Sequence, residues 1–134
     1  MSIIVNDTGF TPDTWEQGYA AFGDAANDVQ ALDIPSDTDP ADIALTPCLQ
    51  MIRVDFPSFA DGRGFTIARM LRLAGYTGRL RARGHIISDQ YAMARRAGFD
   101  EVEITQDMAA RQPQAQWQFR ANWKANDYQA RVRG

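Results

Sequence analysis

The chain has 134 residues, 45% of them hydrophobic and 23% charged, with a formal net charge of -3. That balance fits one domain with its own core and excludes wholesale disorder, a collagen-like repeat and a disulfide scaffold. A single cysteine, Cys48, and a single histidine, His85, exclude an internal disulfide, a multi-cysteine zinc site and a four-thiolate iron–sulfur site.

The charge is unevenly spread. Residues 1–60 hold 10 acids and one Arg, whereas residues 61–134 hold 7 acids against 12 Arg and one Lys. No run of 18 apolar residues occurs, so no membrane helix is expected. The start of the chain lacks a basic segment followed by a long apolar one, so it does not read as a secretory signal. A cytoplasmic protein is the expectation.

Taken in order, Ile3-Ile4-Val5 reads as an edge strand, and residues 15–22 as a helix or an ordered loop. Residues 29–34 alternate and stop at Pro35-Ser36-Asp37, a strand followed by turn chemistry. Asp39-Pro40 reads as an N-cap with proline at the first helical position, opening a short helix over 41–45. Residues 49–56 form a second strand, ended by Pro57.

The turn-rich stretch 58–64 leads into a helix over 65–74. Ile67, Ala68, Leu71 and Ala74 face inward there, and Arg69 and Arg72 outward. Gly75 suits the left-handed position after a helix, with Tyr76 packing behind it. A third strand covers 78–82. Ser88 then reads as the N-cap of a helix running to Ala97, with Tyr91 and Met93 as core residues.

Gly98-Phe99 repeats the Gly-aromatic stop, and a fourth strand covers 100–105. Short strand–helix repeats imply parallel strands with right-handed crossovers. The expected fold is therefore a single-domain α/β protein spanning 1–134. Its mostly parallel sheet is built from repeated strand–helix units, with a regular core at about 29–105. After Asp107, alternation of Trp117, Phe119, Ala121 and Trp123 favours a strand, while Gln112-Pro113 and the Ala/Gln/Arg content favour a helix. The helix is the reading adopted. Trp15, Trp117 and Trp123 are expected to cover the sheet or to form an oligomer interface.

Parallel sheets bind ligands beyond the carboxyl ends of their strands. That rule selects the loops 35–39, 57–64 and 83–89. In the second, Asp61-Gly62-Arg63-Gly64 precedes a helix. Glycines permit close approach of the backbone, the helix start offers free N–H groups, and Arg63 supplies a planar donor fork. These suit a small anion, and equally suit a turn closed by an Asp–Arg pair.

The third loop carries Arg83, His85 and Asp89. His85 suits general acid–base work and equally a surface role; Asp89 suits ligand binding or a capping charge. Asp55, near the end of the second strand, needs a partner if it is buried; Arg53, Arg81 and Arg83 are the candidates. The same residue types leave Mg²⁺ at Asp55, Asp61 and Asp89 as a further reading, which their spacing does not demand.

Residues 63–96 hold eight Arg and one acid. A nucleic-acid site has no motif here, and a pI of about 5.0 argues against general DNA binding. The simpler expectation is that the acidic half packs on the basic half. No dinucleotide or P-loop fingerprint is present.

The run 52–103 resembles a bacterial family of undetermined biochemistry whose members are usually described as involved in sulfite reduction. The resemblance rests on Val54 to Phe65 (VDFPSFADGRGF), Ala68-Arg69-Met70-Leu71-Arg72 and Gly75-Tyr76-Thr77-Gly78. It continues through Leu80-Arg81-Ala82-Arg83-Gly84, Ser88-Asp89-Gln90 and Gly98 to Ile104, with Asp127-Tyr128-Gln129 near the end. Many relatives carry Asp where this chain has His85.

The resemblance implies a place beside sulfite reductase or another sulfur-assimilation enzyme, and it supplies no reaction. Sulfite reduction needs a metal or flavin, and no motif for either is visible, so no cofactor is expected. The first expectation is an accessory protein binding a small anion or a partner through Asp55, Asp61, Gly62, Arg63, Gly64, Arg83, His85 and Asp89. One alternative is a small α/β enzyme with Asp55, Asp61, Arg63, His85 and Asp89 around an anionic metabolite. The other is an oligomeric binding module.

Overall fold

A computed structural model describes residues 2–21 and 29–120. Phe22, Trp123, Lys124 and the stretch 127–129 lie outside the described residues. Among the described residues seven strands form one sheet: β1 (Ser2–Asn6), β2 (Gly9–Thr11), β3 (Ala20–Ala21), β4 (Ala31–Ile34), β5 (Met51–Phe56), β6 (Arg79–Gly84) and β7 (Glu101–Thr105). Their order is β2-β1-β7-β6-β5-β4-β3. Strands β3 to β7 run parallel to one another, and β1 and β2 add an antiparallel edge beside β7. The fold is α/β with a mostly parallel sheet.

The helices are α1 (Arg63–Leu73), α2 (Tyr91–Ala97), α3 (Gln106–Arg111) and α4 (Gln114–Arg120). Helix α1 links β5 to β6, and α2 links β6 to β7. Both end as expected. Gly75, at φ +99°, donates to the Arg72 carbonyl while Tyr76 donates to Leu71. Gly98, at φ +120°, donates to Arg95 while Phe99 donates to Ala94. The paired bonds satisfy the last carbonyls of each helix and turn the following aromatic into the core, where Tyr76 and Phe99 are buried.

The link from β4 to β5 differs from expectation. Asp39 does accept from the Ala41 N–H, but the element it caps is a single 3-10 turn, Pro40–Asp42, rather than a helix to residue 45. Pro47 bars a longer helix there. The strand–helix unit therefore does not recur through the whole core.

Helix α2 also starts differently. A 3-10 turn, Ser88–Gln90, precedes it, and the Gln90 side chain accepts from the Ile87 N–H. Ser88 caps nothing; it is buried, and its own N–H donates to Gln112 Oε1 at 2.6 Å. Met93 is exposed, because α2 turns Tyr91, Ala94 and Ala97 inward. Ala74 is likewise exposed at the end of α1.

Strand alternation divides the sheet. One face carries Leu32, Ile34, Ile52, Val54, Phe56, Leu80, Ala82, Val102 and Ile104. These pack with Ile67, Ala68 and Leu71 of α1, Ala94 and Ala97 of α2, and Trp117 of α4. The helix reading of the C-terminal region holds as far as Arg120. Ile3-Ile4-Val5 is not at an edge, because β2 lies outside it.

The β2 edge is itself blunted. The Phe10 N–H donates to Gln114 Oε1 at 2.7 Å, and the Gln118 amide donates to the Thr8 carbonyl at 3.2 Å. Two side chains of α4 thus occupy groups that would template another strand.

Candidate functional site

The other face of the sheet carries charge instead of helices. Asp33 on β4, Arg53 and Asp55 on β5, Arg79, Arg81 and Arg83 on β6, and Glu101 and Glu103 on β7 share it by register. Arg53 and Arg81 are direct neighbours, a repulsive placement unless an acid joins them. Glu103 joins them: it accepts from Arg53 Nη1 at 3.1 Å and Arg81 Nη1 at 3.0 Å, with Arg83 Nε at 3.5 Å.

Arg81 is fully buried. It also bonds Glu101, both Asp13 oxygens and the Tyr19 hydroxyl. Burial alone would lower its pKa; the Asp13 hydrogen bonds and the Glu101 charge reverse that and hold it above the ordinary arginine value. Burial tends to raise the Asp13 pKa, but the Arg81 hydrogen bonds overcome it and leave Asp13 lowered.

Asp13 and Tyr19 come from residues 12–19, which run from β2 at one sheet edge to β3 at the other. Arg53 stacks on the Tyr19 ring at 3.8 Å, and Arg79 lies 6.0 Å from the Trp15 ring. Trp15 therefore covers the sheet, as expected for one of its two alternatives. This segment does for the charged face what a second helix layer does in other parallel sheets.

At the carboxyl ends of the strands, the expected residues separate into three places. Asp61 and Arg63 engage each other. Arg63 Nε donates to Asp61 Oδ1 at 3.0 Å and Nη2 to Oδ2 at 2.8 Å, while the Arg63 N–H donates to Oδ1 at 3.0 Å. Ser36, at the end of β4, donates to Asp61 at 2.8 Å and accepts from Arg63 at 3.1 Å. The side-chain and backbone bonds from Arg63 hold the Asp61 carboxyl well below the usual carboxylate range.

The fork expected to face an anion is thus closed on its own neighbour. Gly62 is the N-cap residue and makes no side-chain bond. Gly64 is needed for space: a Cβ there would fall inside the Phe56 ring.

A cleft of about 250 Å³ gathers Asp55, Arg83 and His85 with Glu103, Ser2 and Thr105. His85 is turned by its backbone N–H, which donates to the Phe56 carbonyl at 3.0 Å, with Nδ1 3.3 Å from the same oxygen. The Phe59 ring meets the imidazole edge-on at 5.3 Å. Gly84, at φ +112°, brings this strand end so close to β5 that a Cβ would stand 2.7 Å from the Phe56 carbonyl.

Asp89 lies elsewhere, in a depression with Ser88, Gln116 and Phe119. The five residues expected around one metabolite therefore do not share one cleft: Asp61, Arg63 and Asp89 are not among the residues lining it. No group of three or more His, Cys, Asp or Glu among the described residues is placed to hold a metal ion, so the three aspartates do not form a Mg²⁺ set.

Asp55 finds Arg83, at 3.5 Å, rather than Arg53 or Arg81. The acidic half does meet the basic half, through Asp13–Arg81, Asp55–Arg83 and Asp7–Arg95. Glu101 and Glu103, which belong to the basic half themselves, also pair with Arg53, Arg79, Arg81 and Arg83.

A family model described as "Bacterial protein of unknown function (DUF934)" matches residues 31–134. The chain belongs to this family. No curated protein and no solved structure matches it. The family match begins at the first residue of β4. In this family member Asp13 and Tyr19 come from outside the matched span, yet their partners Arg53 and Arg81 lie within it.

Asp13, Tyr19, Ser36, Glu101 and Glu103 were not singled out by sequence reasoning. A usable signal existed in the alternation of Arg79, Arg81 and Arg83 against that of Glu101 and Glu103. It needed the β6–β7 register to become a contact. Among the described residues no helix is long and apolar enough to cross a membrane.

Proposed function

We propose that the protein is an accessory protein of assimilatory sulfite reduction that binds a small oxyanion in the cleft at Arg83 and works beside a sulfur-assimilation enzyme. The pathway part is supported by the resemblance of residues 52–103 to proteins described in those terms. The binding part is carried by one observation, the loose hold on Arg83. Its two acidic contacts, Asp55 and Glu103, are both 3.5 Å long, and its side chain is 46% exposed. Arg53, Arg63, Arg72 and Arg81 each have at least one bond to a carboxylate of 2.6 to 3.0 Å.

A sulfite or sulfate entering the cleft exchanges the long Asp55 contact for a short two-point bond to the guanidinium. Calorimetric titration with sulfite at low ionic strength tests this. The native chain binds, Arg83→Gln does not, and Asp55→Asn binds more tightly because the competing carboxylate is gone. Absence of binding to the native chain, or undiminished binding to Arg83→Gln, overturns the site. The partner half is tested by gel filtration with purified sulfite reductase at low salt, where a joint peak is expected and separate peaks refute it.

A further inference from the structure

Residues 12–19 lie on the charged face as a bound peptide does. Strand β2 stops at Thr11 and β3 starts at Ala20. Among the described residues, no main-chain hydrogen bond joins residues 13–18 to any other element. Six of the eight residues 12–19 are exposed. The hold is made by three side chains. Asp13 meets Arg81 with both carboxylate oxygens, at 3.0 Å each. The Tyr19 hydroxyl accepts from Arg81 at 2.9 Å while its ring lies 3.8 Å from Arg53. The Trp15 ring lies 6.0 Å from Arg79. A strap without ladder bonds and with little buried backbone opens more easily than the strands beneath it.

The arginines below keep partners of their own. Asp33, Glu101 and Glu103 bond the guanidinium edges of Arg53, Arg79 and Arg81. The strap takes what those acids leave: the flat face of Arg53, and hydrogens on Arg81 Nη1 and Nη2. With the strap lifted, Arg81 keeps Glu101 and Glu103 but loses its bonds to Asp13 and Tyr19. A guanidinium this buried is costly to leave part-satisfied, so the bare face calls for a carboxylate at Arg81 and rings beside it on Arg53 and Arg79. The charges of the face lie within the span matched by the family model, and the strap lies outside it.

We propose that residues 12–19 are a built-in ligand closing a peptide-docking face, and that the face opens to an extended segment of another protein carrying a carboxylate followed by aromatic rings. The places the strap fills select this occupant. A small carboxylic acid would fill the Arg81 position and leave both ring positions bare. A nucleic acid would meet no surplus of cations, because the four arginines of the face are matched by its four acids, and polyanions bind through such a surplus. The tethered strap competes at an effective concentration on the order of millimolar. It therefore lowers a partner's apparent affinity in proportion to the fraction of chains that are closed. The inference does not use Arg83, so it and the oxyanion reading can fail separately.

The probe is a synthetic peptide with the sequence of residues 11–20, titrated into the labelled full chain and followed by amide shifts. The opened chain carries Asp13→Asn and Tyr19→Ala. It is expected to bind the peptide about tenfold or more tightly than the native chain does, with shifts centred on β5, β6 and β7. A peptide that itself carries Asp13→Asn should bind the opened chain about tenfold or more weakly.

If the opened chain does not fold, the native chain decides. Unlabelled peptide on the order of millimolar should move the signals of residues 13–18 to those of an unbound segment. The face, occupied either way, should keep its positions. No binding to a folded opened chain, equal binding of the two peptides, or strap signals that stay in place in the native chain would each overturn the proposal. So would a native dimer that is lost on Asp13→Asn with Tyr19→Ala, which would make a second copy the occupant. Displacement of the strap by free glutamate as readily as by the peptide, or tighter binding of a short single-stranded RNA to the opened chain, would overturn it as well.

Discussion

Asp13 and Arg81, 68 residues apart, share two hydrogen bonds of 3.0 Å each, one to each carboxylate oxygen. The pair pins residues 12–19 to the middle of the charged face. Seven strands about 4.8 Å apart place β2 and β3 about 29 Å from each other, and the chain from Thr11 to Ala20 reaches about 30 Å when extended. The crossing is close to taut, so it has few ways to stay on the sheet without its anchors. Asp13→Asn weakens those bonds while Arg81 keeps Glu101 and Glu103. We expect a loss of about 1–3 kcal/mol in urea unfolding, and faster proteolytic cleavage within residues 12–19. Unchanged cleavage would show that Asp13 does not hold the segment.

Glu103 should matter more. It is 5% exposed and accepts from Arg53 and Arg81 at once. Glu103→Gln leaves two neighbouring guanidinium groups without their shared counter-charge. A cost of about 3–5 kcal/mol is expected, the range for stripping one partner from a buried ion pair. A cost below about 1 kcal/mol would mean that the cluster behaves as surface charge.

The Asp61–Arg63 pair gives the stability a pH dependence of known sign. The carboxyl's pKa in the fold lies below its ordinary value of 3.8. The unfolded chain therefore binds the proton more readily, and stability rises with pH. The contribution is complete above about pH 4 and is lost as the pH falls from there. Asp61→Asn should remove this slope from the acid limb of a pH series of melting temperatures. If native and variant chains show parallel acid limbs, the pair is not formed in solution.

Gly64→Ala sets two effects against each other. Alanine favours a helix over glycine by about 1 kcal/mol. Its Cβ, however, would enter the ring of Phe56, a 1% exposed side chain packed against Phe65 and Phe99. Overpacking costs about 1–3 kcal/mol, so a net loss is expected. A rise in melting temperature would show that the ring shifts freely.

Much of the parallel core was legible in the chain because its signals are local. Val54 and Phe56, and Leu80 and Ala82, alternate with polar residues, and that period alone assigns them to one side of a strand. Gly75-Tyr76 and Gly98-Phe99 mark helix ends because the closing bonds span only a few residues. The helix expected at 41–45 failed for want of length, and the cap expected at Ser88 failed because Gln90 reaches back to do the work. The joint site of Asp55, Asp61, Arg63, His85 and Asp89 failed for a different reason. All five sit near strand ends, but Arg63 closes on Asp61 and Asp89 lies beside α4, so only Asp55 and His85 line one cleft.

What the chain determined by itself was the periodicity, the turn chemistry, the arginine surplus and the poverty in His, Cys and Lys. Tertiary structure decided where that surplus goes. Residues 79, 81 and 83 announce a charged strand face, but nothing near them says that Glu101, Glu103 and Asp13 will cover it. Ion pairs need only a few ångströms of proximity and leave no periodic mark on distant segments. Strand order and register had to place β7 beside β6, and residues 12–19 had to cross the sheet, before those charges could meet.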